Sequence, residues 1–238
     1  MNADKTTAIT VGVLFVIATG FLFVGGAVYS PILSSPDYLE LAYPNRVTVI
    51  VGILLEFAIV PAIVLIPVVF FPVLRRHNEV LALGYVAFRL FEAVLLSVAM
   101  INKLALINVS QDYLNRGGTD ASYFQYIGSA IQSENYWGYA GGLIYNVVFI
   151  FGALILYAAL YQSKLVPRFI PVFGFVAAAA LLGGSLLATF TDISPATTIL
   201  LVTPIAVQEM ILAVWLIVKG FNSSATVFRA AKTELNAV

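Results

Sequence analysis

Long runs of apolar residues separated by short polar stretches dominate the chain. A membrane-crossing helix needs about 20 mostly apolar residues, and six runs meet that length. We place these spans at residues 8–30, 47–71, 80–107, 137–161, 167–190 and 197–219. None of them alternates with the period of two that a transmembrane barrel strand requires. The pattern predicts an all-α polytopic membrane protein, with one six-helix transmembrane domain over residues 1–220 and a short cytoplasmic tail at 221–238.

Composition excludes most other classes of protein. The chain has 238 residues, of which 61% are hydrophobic and 10% are charged, whereas soluble domains have about 45–50% apolar and about 25% charged residues. Lys and Arg together equal Asp and Glu at 12 each, so no basic surface for nucleic acid is expected. With no cysteine and one histidine, we expect no disulfide, no metal site and no cofactor.

The first apolar run could be either a signal peptide or an uncleaved anchor. The run from Ala8 to Tyr29 exceeds the usual apolar region of a signal peptide, which is about 7–15 residues. The sequence Gly25 to Ser30 is a poor cleavage site, so we favour the anchor.

Basic residues in the flanks of the spans predict the orientation. With six spans, one side of the membrane holds both termini, the second loop and the fourth loop. The other side has only two basic residues, Arg46 and Arg116. The residues on the first side are Lys5, Arg75, Arg76, Lys164, Arg168, Lys219, Arg229 and Lys232. This asymmetry predicts that both termini are cytoplasmic.

The segment 108–136 between the third and fourth spans is long and contains several aromatic residues. Tyr123, Phe124 and Tyr126 follow Gly117-Gly118. The segment could lie along the outer membrane interface, where aromatic residues are enriched, or it could be a plain solvated loop.

Charged residues inside the spans are the most informative positions, because a charge at the bilayer centre costs about 2.5–3.5 kcal/mol on insertion scales. Glu56, Glu92 and Glu209 are acidic, and Arg89 and Lys103 are basic. A helix rises about 1.5 Å per residue, which puts Glu56 and Arg89 at a similar depth near the midplane. Asn146 and Glu209 can share that layer.

Span 3 carries a polar stripe on one helical face. Arg89 and Glu92 are three residues apart and are therefore neighbours on the helix surface. Tyr85, Leu96 and Lys103 fall on the same face, which must point into the bundle rather than toward lipid.

Two interpretations of this cluster remain open. It could be a structural ion-pair network in which Arg89 holds Glu56, Glu92 or Glu209, or it could be a site for a ligand or a proton. Three carboxylates around one guanidinium leave an excess negative charge. Lys103 lies about 16 Å beyond Glu92 along the helix. Protonation, a bound cation or water must relieve that excess, so we expect at least one of the three carboxyl groups to be neutral at pH 7.

Three stretches of the chain carry a resemblance to a known family. They are Ala87 to Ala93 in span 3, Tyr157 to Gly174 with its Ser-x-x-x-Pro-Arg turn, and Gln208-Glu209 followed by Ala213 to Gly220. The layout resembles a prokaryotic six-helix membrane family catalogued as domain of unknown function 4386, over nearly the whole chain. The start of span 4, Tyr136 to Tyr139, departs from the more aliphatic pattern of that family.

The resemblance implies that Arg89, Glu92 and Glu209 occupy positions in the family motifs and that the protein lies in the inner (cytoplasmic) membrane of a prokaryotic cell. It implies no activity, so the function has to be argued from the residues.

The leading hypothesis is that the protein binds, and as an extension translocates, a small amphipathic or lipid-like molecule. Its polar end would be anchored by Glu56, Arg89, Glu92 and Glu209, and neutral hydrogen bonds would come from four further residues. Those residues are Tyr85, Tyr145, Asn146 and Gln208. The expected partners are membrane lipids and this ligand but no nucleic acid, and the expected state is a monomer or homodimer.

Three alternative functions use the same cluster. The first is a proton- or cation-coupled carrier of small solutes. The second is an intramembrane enzyme acting on a lipid, which paired carboxylates permit but do not establish, so the sequence leans against an enzyme. The third is a structural membrane subunit in which the ion pairs only fix helix packing. A cavity at the cluster would distinguish these hypotheses. The absence of a cavity favours the structural subunit, an opening toward lipid favours a lipid-like ligand, and an opening toward water favours transport.

Overall fold

The computed structural model describes residues 2–138, 142–222 and 225, and the regular secondary structure of this part of the chain is α-helical. Its helices are α1 (Asn2–Leu33), α2 (Tyr38–Leu41), α3 (Arg46–Phe57), α4 (Ile59–Leu74), α5 (Glu79–Asn115), α6 (Ala121–Gly138), α7 (Leu143–Ser163), α8 (Phe169–Phe190) and α9 (Pro195–Val218). Most of the tail at 221–238 lies outside the described residues.

Within the described part of the chain, six helical segments are long and apolar enough to cross a membrane, which confirms the predicted number of spans. The second span consists of α3 and α4 together, and the other five spans are α1, α5, α7, α8 and α9. The third and fourth spans differ from their expected bounds. Helix α5 continues to Asn115, and α7 begins at Leu143 instead of residue 137.

The second span is interrupted at Ala58, directly after Phe57 and three residues before Pro61. Proline has no N–H group to donate to the carbonyl of the residue four positions earlier. Pro61 therefore cannot continue the hydrogen-bonding pattern of α3, and it is accommodated in the first turn of α4. The interruption leaves Glu56 in the last turn of α3, near the middle of the span.

The segment 108–136 is mostly helical, so the plain-loop alternative is wrong for most of its length. It contains the end of α5, a turn and most of α6. The turn places Gly117, Gly118 and Asp120 at positive φ, a conformation that glycine adopts without strain. Phe124 is buried on the bundle side of α6, whereas Tyr123 and Tyr126 are exposed.

The six spans form a closed ring in which each span packs against the next along the chain. Helix α9 also packs against α1, and this contact completes the ring. The N-terminal end of α1, the α4–α5 turn and the α7–α8 turn share one end of the bundle, which we call the basic end. A salt bridge of 3.1 Å between Arg76 and Asp4 links two of these elements, and the backbone N–H of Asn222 donates to the carbonyl of Leu165 at 2.8 Å.

The polarity of the bundle is inverted relative to that of a soluble protein. Large apolar side chains such as Phe57, Phe91 and Phe151 are exposed on the outer surface, and charged side chains of the spans are buried inside. Lipid chains can cover such an exterior, whereas water would leave a large apolar area exposed. The protein is a multi-pass membrane protein by these criteria.

Candidate functional site

Arg89 lies at the centre of the bundle. It is ten residues after the start of α5, which is about 15 Å from the N-terminal end of that helix. Its Nη1 donates to Oε2 of Glu92 at 2.9 Å, and its Nη2 donates to Oε1 of Glu209 at 3.4 Å. Its Nε donates to the hydroxyl of Tyr85 at 3.3 Å. Tyr85 and Glu92 are one helical turn before and after Arg89, so α5 supplies three members of this network.

The second oxygen of each carboxylate also accepts a hydrogen bond. Tyr145 of α7 donates to Oε1 of Glu92 at 2.9 Å. Thr19 of α1 donates to Oε2 of Glu209 at 3.2 Å. The network therefore connects four spans (α1, α5, α7 and α9) through one guanidinium group and two carboxylates.

Aromatic rings surround the guanidinium of Arg89. Its Cζ atom is 5.3 Å from the centroid of Phe149 and 5.9 Å from that of Phe15. These distances are within the range of cation–π attraction. The rings compensate Arg89 in part for its loss of water.

A second buried ion pair corrects the expected composition of the cluster. Glu56 accepts a hydrogen bond of 2.9 Å from Lys103, and Lys103 also donates to the hydroxyl of Tyr29 at 2.6 Å. The sequence grouped Glu56 with Arg89 and set Lys103 apart because of its distance along α5. That grouping is wrong because the long lysine side chain reaches Glu56 from a neighbouring span.

The acidic excess is consequently smaller than the sequence indicated. Glu56 and Lys103 form one pair of opposite charges. Glu92 and Glu209 share the guanidinium of Arg89. If both carboxyl groups are ionised, this set of three side chains has one negative charge in excess.

A cavity of about 560 Å³ lies beside the Arg89 network, inside the ring of spans. Five of the eight residues predicted for the site line its wall, namely Arg89, Glu92, Glu209, Tyr145 and Asn146. Its volume falls in the range of about 300–1,000 Å³ that is typical of small-molecule sites.

Three of the predicted residues lie outside the cavity wall. Glu56 is in the second ion pair. The hydroxyl of Tyr85 accepts a hydrogen bond from Arg89 and lies outside the cavity wall. Gln208 accepts a hydrogen bond of 2.7 Å from Tyr157, and its amide donates to the carbonyl of Ile170 at 3.4 Å. Gln208 therefore holds α7, α8 and α9 together and is not placed to contact a ligand in this cavity.

Asn146 lines the cavity, but its amide is engaged within the protein. Its Nδ2 donates to the hydroxyl of Ser185 at 2.7 Å, and that hydroxyl donates to the carbonyl of Leu181 at 2.8 Å. These bonds tie α7 to α8 and fix the side chain of Asn146 at the cavity wall.

The strongly exposed apolar residues of the cavity wall lie on α1 and α9, which indicates an opening between these two helices. Near the basic end the two helices touch, since a Cβ atom at Gly12 would lie 2.7 Å from the carbonyl oxygen of Ala213. Beyond Glu209 the cavity separates them. Phe23 and Ile199 line this opening and are 64% and 65% exposed, so their side chains lie at the outer surface of the bundle.

An apolar groove of about 610 Å³ runs along the exterior of α1 and α9. It shares Thr19, Phe23 and Ala206 with the cavity and extends along α9 to Lys219 at the basic end. The cavity and the groove therefore adjoin at the opening, on the surface that faces lipid.

Two residues of the site were not singled out from the sequence. Thr19 is a polar residue within a strongly apolar span, and this was the signal that could have indicated its contact with Glu209. Tyr29 lines the cavity and contacts Lys103, and its position near the end of a span resembles that of an ordinary interfacial tyrosine.

The family model described as "Domain of unknown function (DUF4386)" matches residues 10–220. No curated protein and no solved structure matches the chain. Because the match covers most of the sequence, the chain belongs to the DUF4386 family.

Proposed function

We propose that this DUF4386 protein binds a small amphipathic or lipid-like molecule in the cavity between α1 and α9, in the cytoplasmic membrane of a prokaryotic cell. The observation that carries the proposal is the combination of a charged floor with an opening toward lipid. Arg89, Glu92 and Glu209 form the floor, and the opening lies between two transmembrane spans.

The dimensions of the cavity suit an elongated molecule. On α9 its lining extends from Glu209 to Thr198, eleven residues that span about 16 Å. The polar end of a ligand would lie at the Arg89 network, and its apolar part would extend past Ile199 and Phe23 into the groove or the surrounding lipid. A ligand that dissolves in the bilayer could enter by this route without crossing water.

The chemistry of the wall supports a ligand with one polar end. Apolar side chains such as Ile63, Leu96 and Leu181 make up most of the lining, whereas the ionised groups lie together at the floor. Binding sites for small molecules commonly combine an apolar wall with a few polar groups that fix orientation.

A cavity-filling substitution tests the proposal and leaves every charged residue of the two ion-pair networks in the sequence. Gly26 lines the cavity, and a Cβ atom there would meet only the hydroxyl of Tyr29, at 4.0 Å. Gly26→Phe therefore places a ring in the cavity. Arg89→Ala is a poorer test because it leaves two buried carboxylates without their cation, which is strongly destabilising.

Gly20 provides the matched control. It lies six residues earlier in α1 and is exposed, and nothing lies within 4 Å of a Cβ atom placed there. We expect native mass spectrometry to detect a lipid-like molecule on the wild-type protein and on Gly20→Phe, but not on Gly26→Phe. A wild-type protein without any adduct, or an adduct that persists on Gly26→Phe, would contradict the proposal.

A further inference from the structure

We infer that the ligand of this cavity is a monovalent organic cation, such as an ammonium group on an apolar body. The inference rests on the proposed function and specifies the charge of the ligand. It follows from the charges at the floor, their exposure to the cavity and the rings around them.

With Glu92 and Glu209 both ionised, the floor of the cavity has one negative charge in excess, and the inference is that a bound cation, rather than a proton, neutralises it. One guanidinium, that of Arg89, faces the carboxylates of Glu92 and Glu209. Lys103 is paired with Glu56, and neither of these two residues is part of the lining. A bound monovalent cation would make the floor neutral, whereas a bound anion would double the excess.

Glu209 is the carboxylate best placed to meet a ligand. The side chain of Glu92 is 3% exposed and lies 2.9 Å from the guanidinium, whereas that of Glu209 is 15% exposed and lies 3.4 Å from it. Glu209 therefore has the longer contact with Arg89 and the greater exposure. Arg89 is shared between two carboxylates, and a buried charge that is not fully compensated is costly. A cation beside Glu209 would compensate the second negative charge.

The aromatic lining favours the same sign of charge. Phe15, Phe23, Tyr29, Tyr145 and Phe149 line the cavity. The face of an aromatic ring carries partial negative charge and attracts cations. Arg89 already lies near two of these rings, which shows that the site accommodates a flat, weakly hydrated cation.

A pair of hydrophobic ions of matched size tests the inference. Tetraphenylphosphonium and tetraphenylborate have nearly the same shape and opposite charge. Equilibrium dialysis against the full-length protein in a neutral maltoside detergent measures the bound amount of each ion as a function of its free concentration. The part that saturates is binding to the protein, and the part that rises linearly is partition into micelles. We expect saturable binding of the phosphonium and not of the borate.

Substitution of Glu209 gives the second arm of the test. Glu209→Gln preserves the size of the side chain and removes the excess charge, so phosphonium affinity should fall at least tenfold. Glu79→Gln makes the same change at an exposed position at the start of the same α5 helix that carries Arg89 and should bind like the wild type. If Glu209→Gln does not fold, the comparison of the two ions on the wild-type protein still decides the question.

The outcomes separate this inference from the proposed function. Saturable binding of the borate in preference to the phosphonium, or unchanged phosphonium affinity in folded Glu209→Gln, would overturn the cation. Failure of both ions to bind would also overturn it. In each case an adduct that is present on the wild type and lost from Gly26→Phe would leave the proposed function standing.

Discussion

Lys103 of α5 donates a 2.9 Å hydrogen bond to Glu56 of α3 inside the bundle, although the two residues are 47 positions apart. Both side chains are buried, with exposures of 6% and 0%. Tyr29 accepts a second hydrogen bond from the same ammonium group. The pair joins the first three spans at the point where the second span is interrupted.

Removal of one member of this pair should destabilise the protein more than removal of both. Lys103→Met leaves the carboxylate of Glu56 buried without its cation, and loss of one partner of a buried ion pair costs about 3–5 kcal/mol. Lys103→Met combined with Glu56→Gln removes both charges and should recover much of that loss. Thermal unfolding of Lys103→Met, of Glu56→Gln and of the double variant in detergent measures the coupling, and additive effects of the two single substitutions would contradict it.

Much of the fold follows from the sequence because span length and hydropathy are local properties. The pairing of Arg89 with Glu92 follows from their spacing of three residues on one helix. The contact between Arg89 and Glu209 agrees with their similar predicted depth. By contrast, the partner of Glu56 depends on how α5 lies against α3 and on the reach of a lysine side chain, which depth alone does not specify.

Neighbouring residues on a helix show a further limit of the sequence interpretation. Gln208 and Glu209 were assigned to the same site, but successive residues point about 100° apart around a helix. Glu209 faces the cavity, whereas Gln208 bonds to Tyr157 and Ile170. The angle alone does not assign the two roles, because two successive residues of α7 both line the cavity.

Two glycines of α1 should respond in opposite ways to the same small substitution. A Cβ atom at Gly25 would lie 2.6 Å from Cβ of Glu56 and 2.8 Å from the carbonyl oxygen of Gly52. Gly25→Ala should therefore force α1 and α3 apart, at a cost of about 1–3 kcal/mol for overpacking. Gly20→Ala has open space around it and should be neutral or stabilising by up to about 1 kcal/mol. Thermal unfolding measures both, and equal effects would contradict the close approach.

Two tyrosines of α7 should separate stability from ligand binding. Tyr157→Phe removes the hydroxyl that donates to Gln208 at 2.7 Å, and the unsatisfied buried acceptor should cost about 1–3 kcal/mol. Because Tyr157 does not line the cavity, phosphonium affinity should stay unchanged. Tyr145→Phe removes the donor to Glu92 at the cavity wall and should lower both stability and affinity. A fall in affinity for Tyr157→Phe alone would reverse the assigned roles.

The orientation in the membrane is the remaining prediction, and it rests on the excess of basic residues at the basic end. The chain contains no cysteine, so each single cysteine variant carries one reactive thiol. Thr119 lies in the turn between α5 and α6, and Glu79 begins α5 at the basic end; both are exposed. In intact cells, a membrane-impermeant maleimide should label Thr119→Cys, and it should label Glu79→Cys only after the membrane is permeabilised. The reverse labelling pattern would contradict the predicted orientation. The basic end, with the turns at Arg76 and Arg168, would then face away from the cytoplasm together with both termini.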